Sequence, residues 1–205
     1  MKVALIGASG NIGSQIQAEA LSRGHTITGI ARNPDKITIQ DGVTAKAGDI
    51  TDPAALAETL KGHDAIIVSV RFRDFDVNDM LDAVRNSGVK RVLIVGGAGS
   101  LLAPDGSGAT LLDSPNFPEA AKPEATVAAA GLKIIRDVDD LDWSFLSPSA
   151  IIGPGERTGK FRLGDDEALF DADGKSHISI PDFAIAMVDE LEKNAHIRKR
   201  FTVGY

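Results

Sequence analysis

The run Val3-Ala4-Leu5-Ile6-Gly7-Ala8-Ser9-Gly10-Asn11-Ile12-Gly13 constrains the fold more than any other stretch. In it an apolar strand passes straight into a helical pattern through glycines at 7, 10 and 13. Each glycine has a distinct physical task. One permits a tight turn out of the strand, one leaves room for a pyrophosphate against the backbone, and one lets helix and strand pack closely. The helix that starts there turns unpaired N–H groups and a positive dipole end toward an anion. Ser9 and Asn11 stand where side chains add hydrogen bonds. A glycine-rich turn without a ligand is the simpler alternative, and the rest of the chain argues against it.

Short β-rich runs alternate with helical patterns through residue 95, the signature of βαβ units and a parallel sheet. Strands are expected at 3–6, 25–30, 43–47, 65–70 and 91–95, with helices at 12–21, from Asp52-Pro53 onward, and at 77–87 before Gly88. The 65–70 and 91–95 runs are almost continuously apolar, as strands covered on both faces require. Residues 99–123 are rich in Gly, Pro and Ser, and so long a loop is usually functional or mobile. A helix at 124–139, a strand at 143–146, an irregular segment, a strand at 176–180, a helix at 181–193 and a strand at 200–203 complete the pattern. The expected architecture is α/β: a three-layer, doubly wound parallel sheet in one domain, 1–205, with residues of about 150–180 forming a small substrate-side lobe.

The chain has no cysteine, which excludes a thiol nucleophile, a disulfide framework and thiolate zinc sites. Its 22 basic and 29 acidic residues give a net charge of −7, and the cations are scattered, so a direct nucleic-acid surface is not expected. No apolar stretch approaches the roughly 20 residues of a membrane span, and the run at residues 3–6 is too short for a signal-peptide core. A cytoplasmic protein without membrane contact is expected. The four histidines, His25, His63, His177 and His196, lack metal-ligand spacing, and no metal site is expected. No heptad or long apolar edge announces an oligomer.

The second strand ends in Gly29-Ile30-Ala31-Arg32-Asn33. An acidic residue at this point would accept hydrogen bonds from the ribose of NAD, whereas Arg32 supplies a cation where a 2′-phosphate would sit. NADP is therefore expected over NAD.

The GxxGxxG spacing, Gly48-Asp49-Ile50 after the third strand and Val95-Gly96-Gly97-Ala98-Gly99-Ser100 after the fifth resemble the atypical short-chain dehydrogenase/reductase superfamily, with its Rossmann-like fold. Leu146-Ser147-Pro148, Pro154-Gly155-Glu156-Arg157-Thr158-Gly159 and Arg200-Phe201-Thr202-Val203-Gly204-Tyr205 resemble, more narrowly, the NADH-flavin reductase group, related to biliverdin-IXβ/flavin reductases and NmrA-like redox sensors. The resemblance implies that Gly7, Ser9, Gly10, Asn11, Ile12 and Gly13 hold the pyrophosphate. Asp49 would accept from the adenine amino group beside an apolar wall at Ile50. Ser69, Val70 and Arg71 would follow the nicotinamide ribose, while Gly96, Gly97, Ser147 and Pro148 would flank the nicotinamide.

Members of that superfamily usually reduce carbonyls or epimerise sugars with a tyrosine four residues before a lysine and a serine after the fifth strand. Here the one tyrosine is Tyr205, the corresponding stretch reads Lys122-Pro123-Glu124-Ala125-Thr126, and Gly97 takes the serine position, with Ser100 an off-register substitute as catalytic candidate. Loss of a positioned acid forfeits about 10²–10⁴ in rate for such chemistry. Hydride delivery to an electron-poor flavin or similar planar small-molecule acceptor is spared that requirement. The expected activity is an NADPH-dependent reductase. A non-catalytic NAD(P)-binding sensor is the alternative, and an epimerase or dehydratase a distant third. Arg157 is expected to hold the C-terminal lobe down through an ion pair. Replacing Arg32 with alanine should cost about 1.5–3 kcal/mol of NADP binding and leave NAD binding nearly untouched, as read by parallel titrations.

Overall fold

The computed structural model describes residues 1–205. The first half runs β1 (Lys2–Ile6), α1 (Asn11–Ser22), β2 (Thr26–Ala31), β3 (Val43–Ala47), α2 (Pro53–Leu60), β4 (Ala65–Val68), α3 (Val77–Ser87) and β5 (Arg91–Val95). The second half runs α4 (Lys122–Arg136), β6 (Asp142–Pro148), β7 (Ile151–Gly153), β8 (Arg162–Gly164), β9 (His177–Ser179), α5 (Ile180–Lys193) and β10 (Lys199–Gly204).

Eight strands form one sheet in the order β3-β2-β1-β4-β5-β6-β10-β8. Every neighbouring pair is parallel except β10 with β8. Alternate residues of each strand feed two cores. Ala4, Ile6, Ile66, Val68, Ile94 and Phe145 pack with α2, α3 and α4. Val3, Leu5, Ile67, Leu93, Leu146 and Phe201 pack with α1 and α5. Covered on both faces, β4 and β5 are buried throughout, which explains their unbroken apolar sequences. This is a mostly parallel, Rossmann-like α/β fold, as the sequence pattern predicts.

Local chemistry sets the helix ends. Asp52 accepts from the Ala55 amide at the start of α2, and Asp76 from the Asn78 amide at the start of α3. Gly88 closes α3 with φ +78°. At α5 the Ser179 hydroxyl accepts from the Asp182 amide, and a proline stands in the first turn.

Several boundaries differ from the sequence expectation. The fourth strand stops at Val68; the Ser69 amide still donates to the Ile6 carbonyl at 2.8 Å, and the chain bends at Val70. Helix α4 starts at Lys122, because Pro123 occupies its first turn, where a missing N–H costs nothing. It ends at Arg136, where the chain folds back so that the Val138 carbonyl accepts from the buried Trp143 indole at 3.0 Å.

Residues 99–123 hold more structure than their periodicity suggests. They contain two short 3₁₀ turns, Leu111–Asp113 and Glu119–Ala121, and a bridge from Leu102 to Thr110. Part of the expected lobe belongs to the main sheet, since β8 adds to β10, while β7 and β9 pair apart from it. Arg157 does tie this region down. Its guanidinium grips the Glu19 carboxylate of α1 through two hydrogen bonds of 2.9 Å.

At the amino edge of the sheet a buried polar network joins β5, β6 and α5. Arg91 meets Glu190 at 2.8 Å, Ser144 donates to the same carboxylate at 2.8 Å, and the His196 amide and ring complete its shell. Burial opposes ionisation of Glu190, but the hydrogen bonds from His196 and Ser144 and the Arg91 charge prevail and hold its pKa below the usual carboxylate value. Glu190→Ala leaves Arg91 buried without its counter-ion, and urea unfolding should show a loss of about 3–5 kcal/mol.

Candidate functional site

The strand order reverses between β1 and β4, and at that point the carboxyl ends of the parallel strands open into a crevice, the usual ligand position in such sheets. A cavity of about 650 Å³ lies there. Its volume is within the range of ligand pockets.

The glycine turn forms its floor. Gly7 has φ +85°, and a Cβ there would lie 2.2 Å from the Ser69 carbonyl oxygen. A Cβ on Gly13 would lie 2.1 Å from the Gly7 carbonyl oxygen, so α1 rests directly on the turn. The N-cap of α1 is Gly10, with no side-chain cap and no acidic residue in the first turn. The first amides of α1 therefore have no protein anion to satisfy them, which suits an external phosphate. Gly7, Ser9, Gly10, Asn11 and Ile12 all line the cavity, whereas Gly13 acts behind them as a spacer.

Along the β2 and β3 side the lining continues through Ile30, Arg32, Asp49 and Ile50. The Arg32 side chain is exposed. Asp49 Oδ1 accepts from the Thr51 amide at 3.0 Å and hydroxyl at 2.8 Å. These bonds, aided by the nearby Arg32 charge, lower the Asp49 pKa and keep it anionic. Its second oxygen has no protein donor.

On the other side lie Ser69, Val70, Arg71 and Gly96. A Cβ on Gly96 would strike the Phe145 ring at 2.0 Å, so only glycine lets the chain leave β5 over that ring. Phe72, Asp74 and Glu124 also line this end. Sequence reading places Glu124 only within the stretch where a catalytic pair would stand. Its approach to the β4 exit is a tertiary contact with no local signature.

Not every expected residue reaches the cavity. Gly97 lies outside the lining, with its α-carbon facing Ala128. Ser147 and Pro148 are buried inside β6, because that strand runs two residues beyond the expected 146 and keeps both within the sheet. Ser100 is half-buried outside the lining, and its carbonyl faces Arg200 at 3.5 Å. Tyr205 also stands apart. Its hydroxyl donates to Asp182 at 2.7 Å. The Asp182 carboxylate is fully enclosed and accepts as well from Thr158 and Gly159.

Two of the histidines pair with neighbouring elements. His63 bridges the Leu60 carbonyl and the Thr28 hydroxyl, both at 2.8 Å, and His25 lies 2.9 Å from Glu192. No helix is long and apolar enough to cross a membrane.

The residues present fit a dinucleotide, because the cradle is one that any Cβ would fill and the helix end above it is uncapped. Gly13→Ala forces α1 off the turn. Unfolding should show a loss of about 1–3 kcal/mol, and dinucleotide affinity should fall with it, measured by calorimetry.

Comparison with known proteins agrees with this geometry. Residues 7–194 match the family described as NAD(P)H-binding. The uncharacterized protein YwnB of Bacillus subtilis is 37% identical, over 99% of this chain and 98% of its own. A Bacteroides thetaiotaomicron structure provisionally named an epimerase is 40% identical with a TM-score of 0.94, covering 100% of this chain and 96% of that one. A Streptococcus pneumoniae structure provisionally named an NADH-flavin reductase is 33% identical with a TM-score of 0.86, covering 100% and 99%. The chain belongs to the NAD(P)H-binding family of Rossmann-like proteins.

Proposed function

We propose that the protein is an NADPH-dependent reductase that delivers hydride to a flavin or a similar planar acceptor. The observation that carries this reading is the separation of the phenol from the cavity. The one tyrosine of the chain is hydrogen-bonded to the enclosed Asp182, while the cavity keeps a complete phosphate cradle and an open end at Gly96. Carbonyl reduction and sugar epimerisation need a positioned acid or base at the reacting atom. The name of the Bacteroides relative suggests an epimerase, and a phenol tied to Asp182 argues against that activity in this chain. Flavin reduction fits better, because the ring is already electron-poor and can take its proton from water.

In this reading the first turn of α1 receives the pyrophosphate, with Ser9 and Asn11 beside it. Arg32 meets the 2′-phosphate, Asp49 accepts from the adenine amino group, and Ile50 supports the ring. Ser69, Val70 and Arg71 follow the nicotinamide ribose. Bound NADPH supplies the hydride. The residues of the chain bind and orient it, with the Gly96 backbone, seated on the Phe145 ring, bordering the nicotinamide end and the acceptor taking the open face. Residues 99–123, which follow β5 and run into α4, would supply a lid over the bound acceptor.

The decisive measurement is NADPH oxidation, followed by loss of its near-ultraviolet absorbance, with FMN, FAD, riboflavin and biliverdin supplied one at a time. Oxidation above the blank with at least one flavin is the expected result, with NADPH favoured over NADH. Tight NADPH binding without oxidation of any acceptor would replace this reading with a non-catalytic sensor.

A further inference from the structure

The cavity end at β4 and β5 is held together by a residue that the dinucleotide pattern does not account for. Glu124 sits in the first turn of α4, half-buried, and its Oε1 accepts from the Phe72 amide at 2.7 Å while Oε2 accepts from the Arg73 amide at 3.3 Å. Those amides open the short 3₁₀ turn Phe72–Asp74, immediately after Arg71. They would otherwise be orphan donors of a helix start, and a carboxylate is a strong acceptor for them.

The same helix is pressed against both exits of the sheet. A Cβ on Gly131 would lie 2.8 Å from the Phe72 ring, and one on Gly99 would lie 2.8 Å from the Ala125 side chain. Helix α4 thus spans from the β4 exit to the β5 exit, and Glu124 makes the polar tie at the β4 end. Both Glu124 and Arg71 line the cavity.

We propose that Glu124 is a positioning residue for the nicotinamide half of the dinucleotide: by holding the Phe72 and Arg73 amides it fixes the Ser69–Arg71 wall along which that half lies. This role rests on the proposed orientation of the cofactor, with adenine toward Arg32 and nicotinamide toward Gly96. It also makes α4 the link between that wall and residues 99–123, which run directly into this helix. Glu124 acts through backbone groups and does not take part in proton transfer.

The test compares two ligands that share the adenine end. NADPH, followed by its nicotinamide fluorescence, reads the whole site, whereas adenosine 2′,5′-bisphosphate, followed by calorimetry, reads the adenine half alone, from Arg32 and Asp49 to the first turn of α1. Glu124→Ala is expected to weaken NADPH about tenfold and to leave the bisphosphate unchanged. Glu124→Gln keeps a carbonyl oxygen for the Phe72 amide and should restore most of the NADPH affinity. Hydrogen exchange at the Phe72 and Arg73 amides should quicken in the alanine variant. Equal weakening of both ligands, or unchanged NADPH affinity, would overturn the proposal, as would unchanged exchange at those amides. Both titrations read binding, so the outcome for Glu124 is the same whether or not the wild-type protein reduces a flavin.

Discussion

Everything at the carboxyl edge of the sheet depends on the contact between Gly13 and the Gly7 carbonyl. With a Cβ only 2.1 Å from that oxygen, any larger residue would lift α1 from the end of β1. The contact fixes the helix start beside the strand end, and with it the direction of the uncapped amides. Gly7 in turn presses on Ser69, so the β1 and β4 exits are set by one another. The cavity lies over these two close approaches, at the carboxyl ends of β1, β2 and β4.

Buried polar groups organise the amino edge of the sheet and the start of α5. There the polar groups are buried and paired: Arg91 with Glu190, and Glu190 with Ser144 and His196. Such pairs are costly to break and add little over an apolar core of the same shape. They do, however, join β5, β6 and α5 in one arrangement. Asp182 has a similar part at the start of α5, where Thr158, Gly159 and Tyr205 all converge on its carboxylate. That convergence, together with the Arg157 grip on Glu19, anchors the segment after β7 to both helices of one face. Buried polar pairing therefore holds the amino edge and the start of α5, whereas the first turn of α1 and one oxygen of Asp49 are left unpaired in the cavity.

Two carboxylates of the cavity differ in what they leave unpaired. Asp49 keeps an oxygen without a protein donor, but Glu124 spends both of its oxygens on backbone amides. The first keeps an acceptor open to the cavity, and the second ties the backbone of the cavity wall to α4.

The sequence by itself determined the α/β class, the strand-to-helix glycine turn, the cap at Asp52, the stop at Gly88 and the cation at Arg32. Each of these rests on residues within a few positions of one another, where backbone sterics and local hydrogen bonds decide the outcome. Tertiary structure decided the rest, because it depends on residues far apart in the chain. It ended β4 at Val68 and extended β6 through Pro148, so Ser69 and Val70 reached the cavity while Ser147 and Pro148 stayed inside the sheet. It carried Glu124 to Phe72 across 52 positions, and Tyr205 to Asp182 across 23. No periodicity or spacing encodes such meetings, since they arise only when the helices settle against a sheet whose order has already been fixed.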